Sequence, residues 1–134
     1  MGKMRPVEGR VDSYIGRPIR SETTKNTSCC FCENTQTFFS DDVIVALAVA
    51  DGEVEKVRTT EQTKFQGVVI VRHGSYITVY RNLDIIFVKE GDRVSYKSPV
   101  GEAGLNYHGT HKEFLFDLYA EDSEWLNPKE WVLD

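Results

Sequence analysis

From residue 43 onward the chain is a succession of short β-strand patterns separated by turn residues, and this feature constrains the fold most. Val43 to Ala50 is an apolar run followed by the turn dipeptide Asp51-Gly52, which predicts a hairpin with Glu53 to Val57. Phe65 to Arg72 and Tyr76 to Tyr80 are β-branched and aromatic, and the three residues between them fit a tight hairpin connection. No long amphipathic helix pattern interrupts these segments. We therefore expect an all-β fold.

The rest of the sequence extends this pattern and adds two irregular segments. Further short strands are predicted at Ile85 to Val88, Arg93 to Tyr96, Val100 to Ala103 and Glu113 to Tyr119. Residues 21–37 are mostly polar and lack periodicity, which predicts a long loop. Asn127 followed by Pro128 is typical of a helix start, so a short C-terminal helical turn is expected. The length of 134 residues fits one domain that covers 1–134.

The charge and hydropathy of the chain argue against two classes of partner. The formal net charge is -5, whereas binding to a nucleic acid or to an anionic membrane requires clustered Lys and Arg. No run approaches the roughly 18 consecutive apolar residues that a membrane span needs. The first ten residues, MGKMRPVEGR, lack the apolar segment of a secretory signal, which a longer parent protein could supply.

Three cysteines lie within four positions, at Cys29, Cys30 and Cys32. Their odd number and close spacing are unlike a disulfide framework, and a bridge between the vicinal Cys29 and Cys30 would be strained. A zinc knuckle needs a fourth ligand, which no nearby His and no second CxxC pair supplies. No cluster of cations that would activate a thiol surrounds them, so a cysteine hydrolase is disfavoured. The pattern favours unmodified thiols in the polar loop.

Six segments of the chain follow one another in the order of a known family pattern. They are Arg5 to Gly16, Ala46 to Val54, Val68 to Leu83, Val88 to Gly104, Phe116 to Tyr119 and Asn127 to Val132. In this order they resemble the lysostaphin-type (LytM-like) zinc endopeptidases, which cut peptidoglycan cross-bridges. The resemblance covers nearly the whole chain.

This resemblance implies a two-layer, antiparallel, β-sandwich-like fold with a groove across one sheet. In active members of the family, zinc is held in that groove by the His and Asp of a His-x-x-x-Asp motif and by the second His of a His-x-His motif. A further His, in a Tyr-x-His-Leu stretch, and the first His of His-x-His assist the bound water. A catalytic zinc needs such a convergent set of ligands with one position left for water.

The corresponding positions of this chain hold other residues. Glu33 stands near the first His position and Thr37 near the Asp position, and Thr is a poor zinc ligand. Asn82 occupies the assisting His position in Tyr-Arg-Asn-Leu, where it cannot carry a proton. Glu113 and Leu115 fall on the two positions of His-x-His, and Leu115 has no atom that binds a metal. The resemblance therefore implies a degenerate member without the metal ligands and without a cofactor.

We accordingly expect a catalytically inactive domain that acts as a binding or regulatory module in the bacterial cell envelope. Degenerate relatives imply peptidoglycan, or an envelope protein such as a cell-wall hydrolase, as the partner, and an extracytoplasmic location. The candidate groove residues are Glu33, Thr37, Phe38, Phe39, Asn82, His108, His111, Glu113 and Leu115. Among them, Phe38 and Phe39 are most simply interpreted as core and sheet-face residues of a small β protein, and the alternative is that they fill the vacated groove with apolar bulk.

Two other functions are considered. The first is an active zinc endopeptidase with an atypical ligand set drawn from His111, Glu113, Glu33 or His108, in which case zinc is the cofactor. The second is a biotinyl or lipoyl carrier domain, which requires a lysine at an exposed hairpin tip, and no such turn is present. The remaining histidine, His73, is predicted to be a turn residue without a ligand role.

Overall fold

The computed structural model describes residues 18–19, 28–32, 35–59, 67–120 and 125–126. Within these residues the chain forms ten strands and no helix, which confirms the all-β prediction. The strands are β1 (Ser28–Cys32), β2 (Thr35–Ser40), β3 (Val45–Leu47), β4 (Gly52–Arg58), β5 (Gly67–Arg72), β6 (Tyr76–Ile86), β7 (Arg93–Val94), β8 (Pro99–Leu105), β9 (Lys112–Ala120) and β10 (Trp125–Leu126). The described residues contain no helix that could span a membrane.

All ten strands belong to one antiparallel sheet that curls around a single core. The strand order is β1-β2-β9-β8-β6-β5-β4-β7, while β3 pairs with β8 and β10 pairs with β9. Strand β9 also pairs with β6, so it changes partner along its length from β8 to β6. The two layers implied by the family resemblance are therefore parts of one continuous sheet.

An aromatic cluster forms the centre of the core. The rings of Phe38 and Phe114 stack with centroids 5.7 Å apart, and Tyr80 contacts Phe114 at 6.0 Å and Phe116 at 5.4 Å. All four side chains are fully buried. The hydroxyl of Tyr80 accepts a hydrogen bond from the N–H of Val49 at 3.2 Å, which connects β6 to the segment after β3. Burial raises the pKa of Tyr80 well above its ordinary value.

The predicted hairpin between Phe65 to Arg72 and Tyr76 to Tyr80 is confirmed for its described part by the pairing of β5 with β6. The connection closes with a hydrogen bond from the N–H of His73 to the carbonyl of Tyr76 at 2.9 Å. Gly74 has a φ of 88°, a conformation that only glycine adopts without steric cost. Strand β6 continues to Ile86, so the strand predicted to begin at Ile85 is the end of β6.

The hairpin predicted around Asp51-Gly52 is wrong. Strand β3 pairs with β8, and β4 pairs with β5 and β7. A register shift after Ala46 and two backbone hydrogen bonds of Ala48, to Ser98 and from Lys97, hold the end of the apolar run against the β7–β8 connection. A Cβ at Gly52 would lie 2.6 Å from the carbonyl oxygen of Arg72, so β4 approaches β5 where only glycine fits. The turn is present, but it joins two strands that do not pair.

The long loop predicted at residues 21–37 is also corrected, because part of it is a β-hairpin. Strands β1 and β2 pair from Ser28↔Phe39 to Cys32↔Thr35, which satisfies the backbone groups of this polar stretch. The three cysteines thus lie on a strand, and Cys30 is an exposed free thiol opposite Thr37. The predicted C-terminal helical turn at Asn127 lies outside the described residues.

His73 is placed in the β5–β6 turn, as predicted, and its ring is held on three sides. Its Nδ1 donates to the carbonyl oxygen of Asp51 at 2.9 Å, because that oxygen can only accept. Its Nε2 then accepts from the hydroxyl of Thr78 at 2.7 Å, and the ring stacks on Tyr76 at 4.9 Å. Burial lowers the pKa of His73, against smaller opposing effects of the Asp51 carbonyl and charge. The folded state therefore favours the neutral imidazole.

We expect the His73 environment to make the domain less stable in mild acid. The ordinary pKa of 6.5 applies to the unfolded chain, and the folded value is lower, so below about pH 6.5 the unfolded state binds more protons. The free energy of unfolding of wild type minus that of His73→Gln should be constant above pH 6.5. This difference should decrease as the pH falls below 6.5. Urea unfolding between pH 8 and 5 measures this difference. His108→Gln, in an exposed loop, is the matched control, and a pH-independent difference for His73→Gln contradicts the interpretation.

Candidate binding groove

The face of the sheet opposite the aromatic core carries the positions that the family resemblance assigns to a metal site. Because side chains alternate along a strand, Thr37 and Phe39 point away from the core that buries Phe38. On β9 the same alternation places Leu115 on this outer face. Thr37 pairs with Leu115, and Leu115 pairs with Arg81 of β6. We call Thr37, Leu115 and Arg81 the central row, and the surface around it the groove face.

An ion pair connects Arg81 of the central row to a buried carboxylate. Nε of Arg81 donates to Oδ2 of Asp117 at 2.6 Å, and the hydroxyl of Thr35 donates to Oδ1 at 2.6 Å. Asp117 is only 2% exposed, whereas the side chain of Arg81 is 40% exposed. A buried carboxylate requires such a counter-charge and such hydrogen bonds, because desolvation otherwise costs several kcal/mol. This network was not predicted, although the single acidic residue in the apolar stretch Phe114 to Tyr119 was an available signal.

Asn82 lies at the point where β9 changes partner. Its Nδ2 donates to the carbonyl oxygens of Glu113 at 2.6 Å and Leu105 at 3.2 Å, and lies 3.5 Å from that of Gly104. Glu113 still pairs with β8, and Leu115 already pairs with Arg81 of β6. The side-chain amide therefore holds β6, β8 and β9 together at their junction. Asn82 has a φ of 68°, a left-handed conformation that asparagine tolerates better than most residues.

His111 and Glu113 are brought together at one end of the groove face. Nε2 of His111 lies 3.9 Å from Oε1 of Glu113, and the imidazole ring contacts Phe39 with centroids 5.6 Å apart. His108 is not part of this group, because it lies in the exposed β8–β9 turn against the ring of Tyr107 at 5.3 Å. Across the described residues, no three His, Cys, Asp or Glu side chains form a group that could hold a metal ion.

Sequence comparison assigns the family. The profile described as Peptidase family M23 matches residues 38–128, more than half of the chain. The chain belongs to peptidase family M23. No sequence among the curated proteins matches it.

Solved structures that resemble this M23 domain share its fold at low sequence identity. A chain from the SpoIIQ-SpoIIIAH pore-forming complex superimposes with a TM-score of 0.76 at 18% identity, covering 91% of this chain and 92% of that one. Csd3 of Helicobacter pylori gives a TM-score of 0.71 at 14% identity, covering 91% of this chain and 35% of Csd3. The catalytic domain of lysostaphin from Staphylococcus simulans gives 0.66 at 15% identity, covering 83% and 96%.

The M23 profile begins at Phe38, so the assignment of Thr37 to the Asp position depends on spacing and on the sheet register. Thr37 and Leu115 are directly opposed on adjacent strands, which brings their side chains close enough to reach a common point. Neither side chain supplies a good zinc ligand. Glu33, the remaining position, lies outside the described residues.

Two predicted groove residues have other roles in this M23 domain. Phe38 is fully buried against Phe114, in agreement with its interpretation as a core residue, because alternation sends it to the core while Phe39 faces outward. Asn82 uses its amide donors on backbone carbonyls at the strand junction. The groove face is therefore formed by the central row, Phe39, His111 and Glu113.

The junction role of Asn82 predicts separable effects of two substitutions. Asn82→Gly keeps the left-handed backbone and removes the side-chain hydrogen bonds, which should lower the free energy of unfolding by about 1–3 kcal/mol. Asn82→Ala removes the same bonds and adds the cost of a positive φ, so we expect a further loss of roughly 1 kcal/mol. Chemical denaturation followed by circular dichroism measures both. Equal stabilities of the Gly and Ala variants would show that the backbone conformation contributes nothing.

Proposed function

We propose that this M23 domain is a catalytically inactive binding or regulatory module of the bacterial cell envelope. Its partner is peptidoglycan or an envelope protein such as a cell-wall hydrolase, and its location is extracytoplasmic. The observation that supports this proposal is the central row, where Thr37 and Leu115 oppose each other at the ligand positions of active members. A hydroxyl and an isobutyl group do not replace a carboxylate and an imidazole as zinc ligands.

The electrostatics of the groove face support the same proposal. Arg81 places a positive charge in the row that the family resemblance assigns to a metal site, and its pairing with Asp117 offsets only part of the field at its exposed side. Like charges about 4 Å apart repel by roughly 4 kcal/mol near a protein surface, and a divalent ion doubles this figure. The buried carboxylate is thus engaged, and a cation added beside Arg81 is disfavoured.

The relatives fit both a binding and an enzymatic role. One similar structure is that of the SpoIIQ-SpoIIIAH pore-forming complex, in which an M23-like chain assembles with another protein, while lysostaphin is an antimicrobial peptidase. The alternative for this chain is a zinc endopeptidase with an atypical ligand set, favoured by the 3.9 Å approach of His111 to Glu113. These two groups alone are one or two ligands short of the sites that zinc forms in proteins.

Metal content and hydrolysis distinguish the two candidates. We expect protein purified at neutral pH without chelator, and then supplemented with zinc, to hold far less than one zinc per chain by elemental analysis. We also expect no release of soluble fragments from cross-linked peptidoglycan, with the catalytic domain of lysostaphin as the positive control. One tightly bound zinc per chain together with fragment release would establish the endopeptidase instead.

Obstruction of the groove face tests the binding role. Thr37→Trp adds bulk to the central row, and Ser95→Trp adds the same bulk to the exposed turn after β7, which makes it the matched control. We expect Thr37→Trp to reduce co-sedimentation with purified peptidoglycan, or complex formation with a purified envelope hydrolase, at least tenfold more than Ser95→Trp. Equal binding by both variants would place the partner surface elsewhere on the domain.

A further inference from the structure

We propose that Arg81 is an anchor for a carboxylate group of a peptide ligand that binds the groove face. This inference rests on the proposed function, because it requires the groove face to be a binding surface. It goes further by naming the chemical group that is recognised and the side chain that recognises it. The supporting observations are the fixed orientation of the guanidinium, its donors that have no acceptor among the described residues, and the exposure of the side chain.

The orientation of the guanidinium is fixed before any ligand arrives. Asp117 of β9 accepts from Nε at 2.6 Å, and the hydroxyl of Thr35, on β2 beyond β9, lies 3.5 Å from Nη2. Asp117 is itself held by the Thr35 hydroxyl, and both residues are buried. An arginine that is already immobilised loses less conformational entropy on binding than a free surface arginine does. The network therefore pre-organises Arg81 as a recognition group.

The described residues engage only two of the five N–H donors of Arg81. A guanidinium has five N–H groups, and the contacts within the described residues use Nε–H and one N–H of Nη2. Both N–H groups of Nη1 and one of Nη2 have no acceptor there. The side chain of Arg81 is 40% exposed, whereas that of its partner Asp117 is 3% exposed. Two parallel N–H groups at the end of a guanidinium match the two oxygens of a carboxylate.

The surrounding charges determine where on the groove face a carboxylate is best accommodated. Asp117 is buried whereas 40% of the Arg81 side chain is exposed, so Arg81 is the partner of this ion pair that solvent reaches. Glu113 lies two residues before Leu115 on β9, about 7 Å farther along the strand, and repels a carboxylate at that end. Leu115 and Thr37 beside Arg81 carry no charge. A carboxylate is therefore best accommodated at Arg81 itself.

Titration of the full chain with short peptides tests this assignment. The probes are N-acetyl-Ala-Ala with a free C-terminus, N-acetyl-Ala-Asp amide and N-acetyl-Ala-Ala amide, observed by ¹H–¹⁵N NMR at the Arg81 Nε–H and the Leu115 amide. We expect saturable shifts with a carboxylate peptide and at least about tenfold weaker binding of the uncharged amide. The first two probes distinguish a C-terminal from a side-chain carboxylate, and binding of either supports the proposal. Equal affinities for all three, or no saturable shift with any, would overturn it.

Variants show whether Arg81 is responsible. Arg81→Lys retains a charge near Asp117 but loses the planar pair of donors, so carboxylate binding should weaken several-fold. Arg81→Met combined with Asp117→Asn avoids an unpaired buried charge, so this variant should fold and should abolish the carboxylate preference. Arg93→Met, at an exposed arginine of β7, is the matched control and should bind as wild type does. A double variant that folds and keeps the preference would refute the anchor.

The outcome for Arg81 is separable from the outcome for the proposed function. Loss of peptidoglycan or hydrolase binding in Thr37→Trp, without a carboxylate preference, would retain the binding module and reject the anchor. Stoichiometric zinc with hydrolysis would reject the inactive module, whichever peptide binds.

Discussion

The whole architecture depends on the two-residue alternation of β9. Phe114, Phe116 and Leu118 of this strand are fully buried in the core, while Glu113 and Leu115 face the groove. Strand β9 pairs with β2, β6, β8 and β10, which is more partners than any other described strand has. A shift of its register by one residue would exchange the core side chains for the groove side chains. Core packing therefore fixes the positions of the groove side chains.

How much of this fold can be predicted from the sequence depends on how far apart in the chain the interacting residues lie. The β5–β6 hairpin was predictable because its strands are adjacent in the chain and their turn is short. The turn at Asp51-Gly52 was visible as well, but a turn motif does not say which strands pair, and β3 pairs with β8 some fifty residues later. Strand β1 was not predicted, because its polar residues and cysteines show no apolar alternation. Its extended conformation is apparent only from its pairing with β2.

The candidate site likewise has features that residue type alone predicts and features that depend on distant residues. That Leu115 cannot bind zinc follows from its residue type alone, wherever it lies. The contacts around the central row join residues far apart in sequence, such as Arg81 with Asp117 and Asn82 with Glu113. No local pattern identifies such pairs. Phe38 and Phe39 show the same limitation, because adjacent aromatic residues look alike in sequence while the strand sends one inward and the other outward.

The guanidinium in the central row also couples the outer face of this domain to its stability. Arg81 reaches across β9 as far as Thr35 of β2, and it pairs with the buried carboxylate of Asp117. Removal of Arg81 alone would leave Asp117 buried without its counter-charge. A substitution at position 81 is therefore not a neutral surface change, and substitutions at positions 81 and 117 are expected to show epistasis.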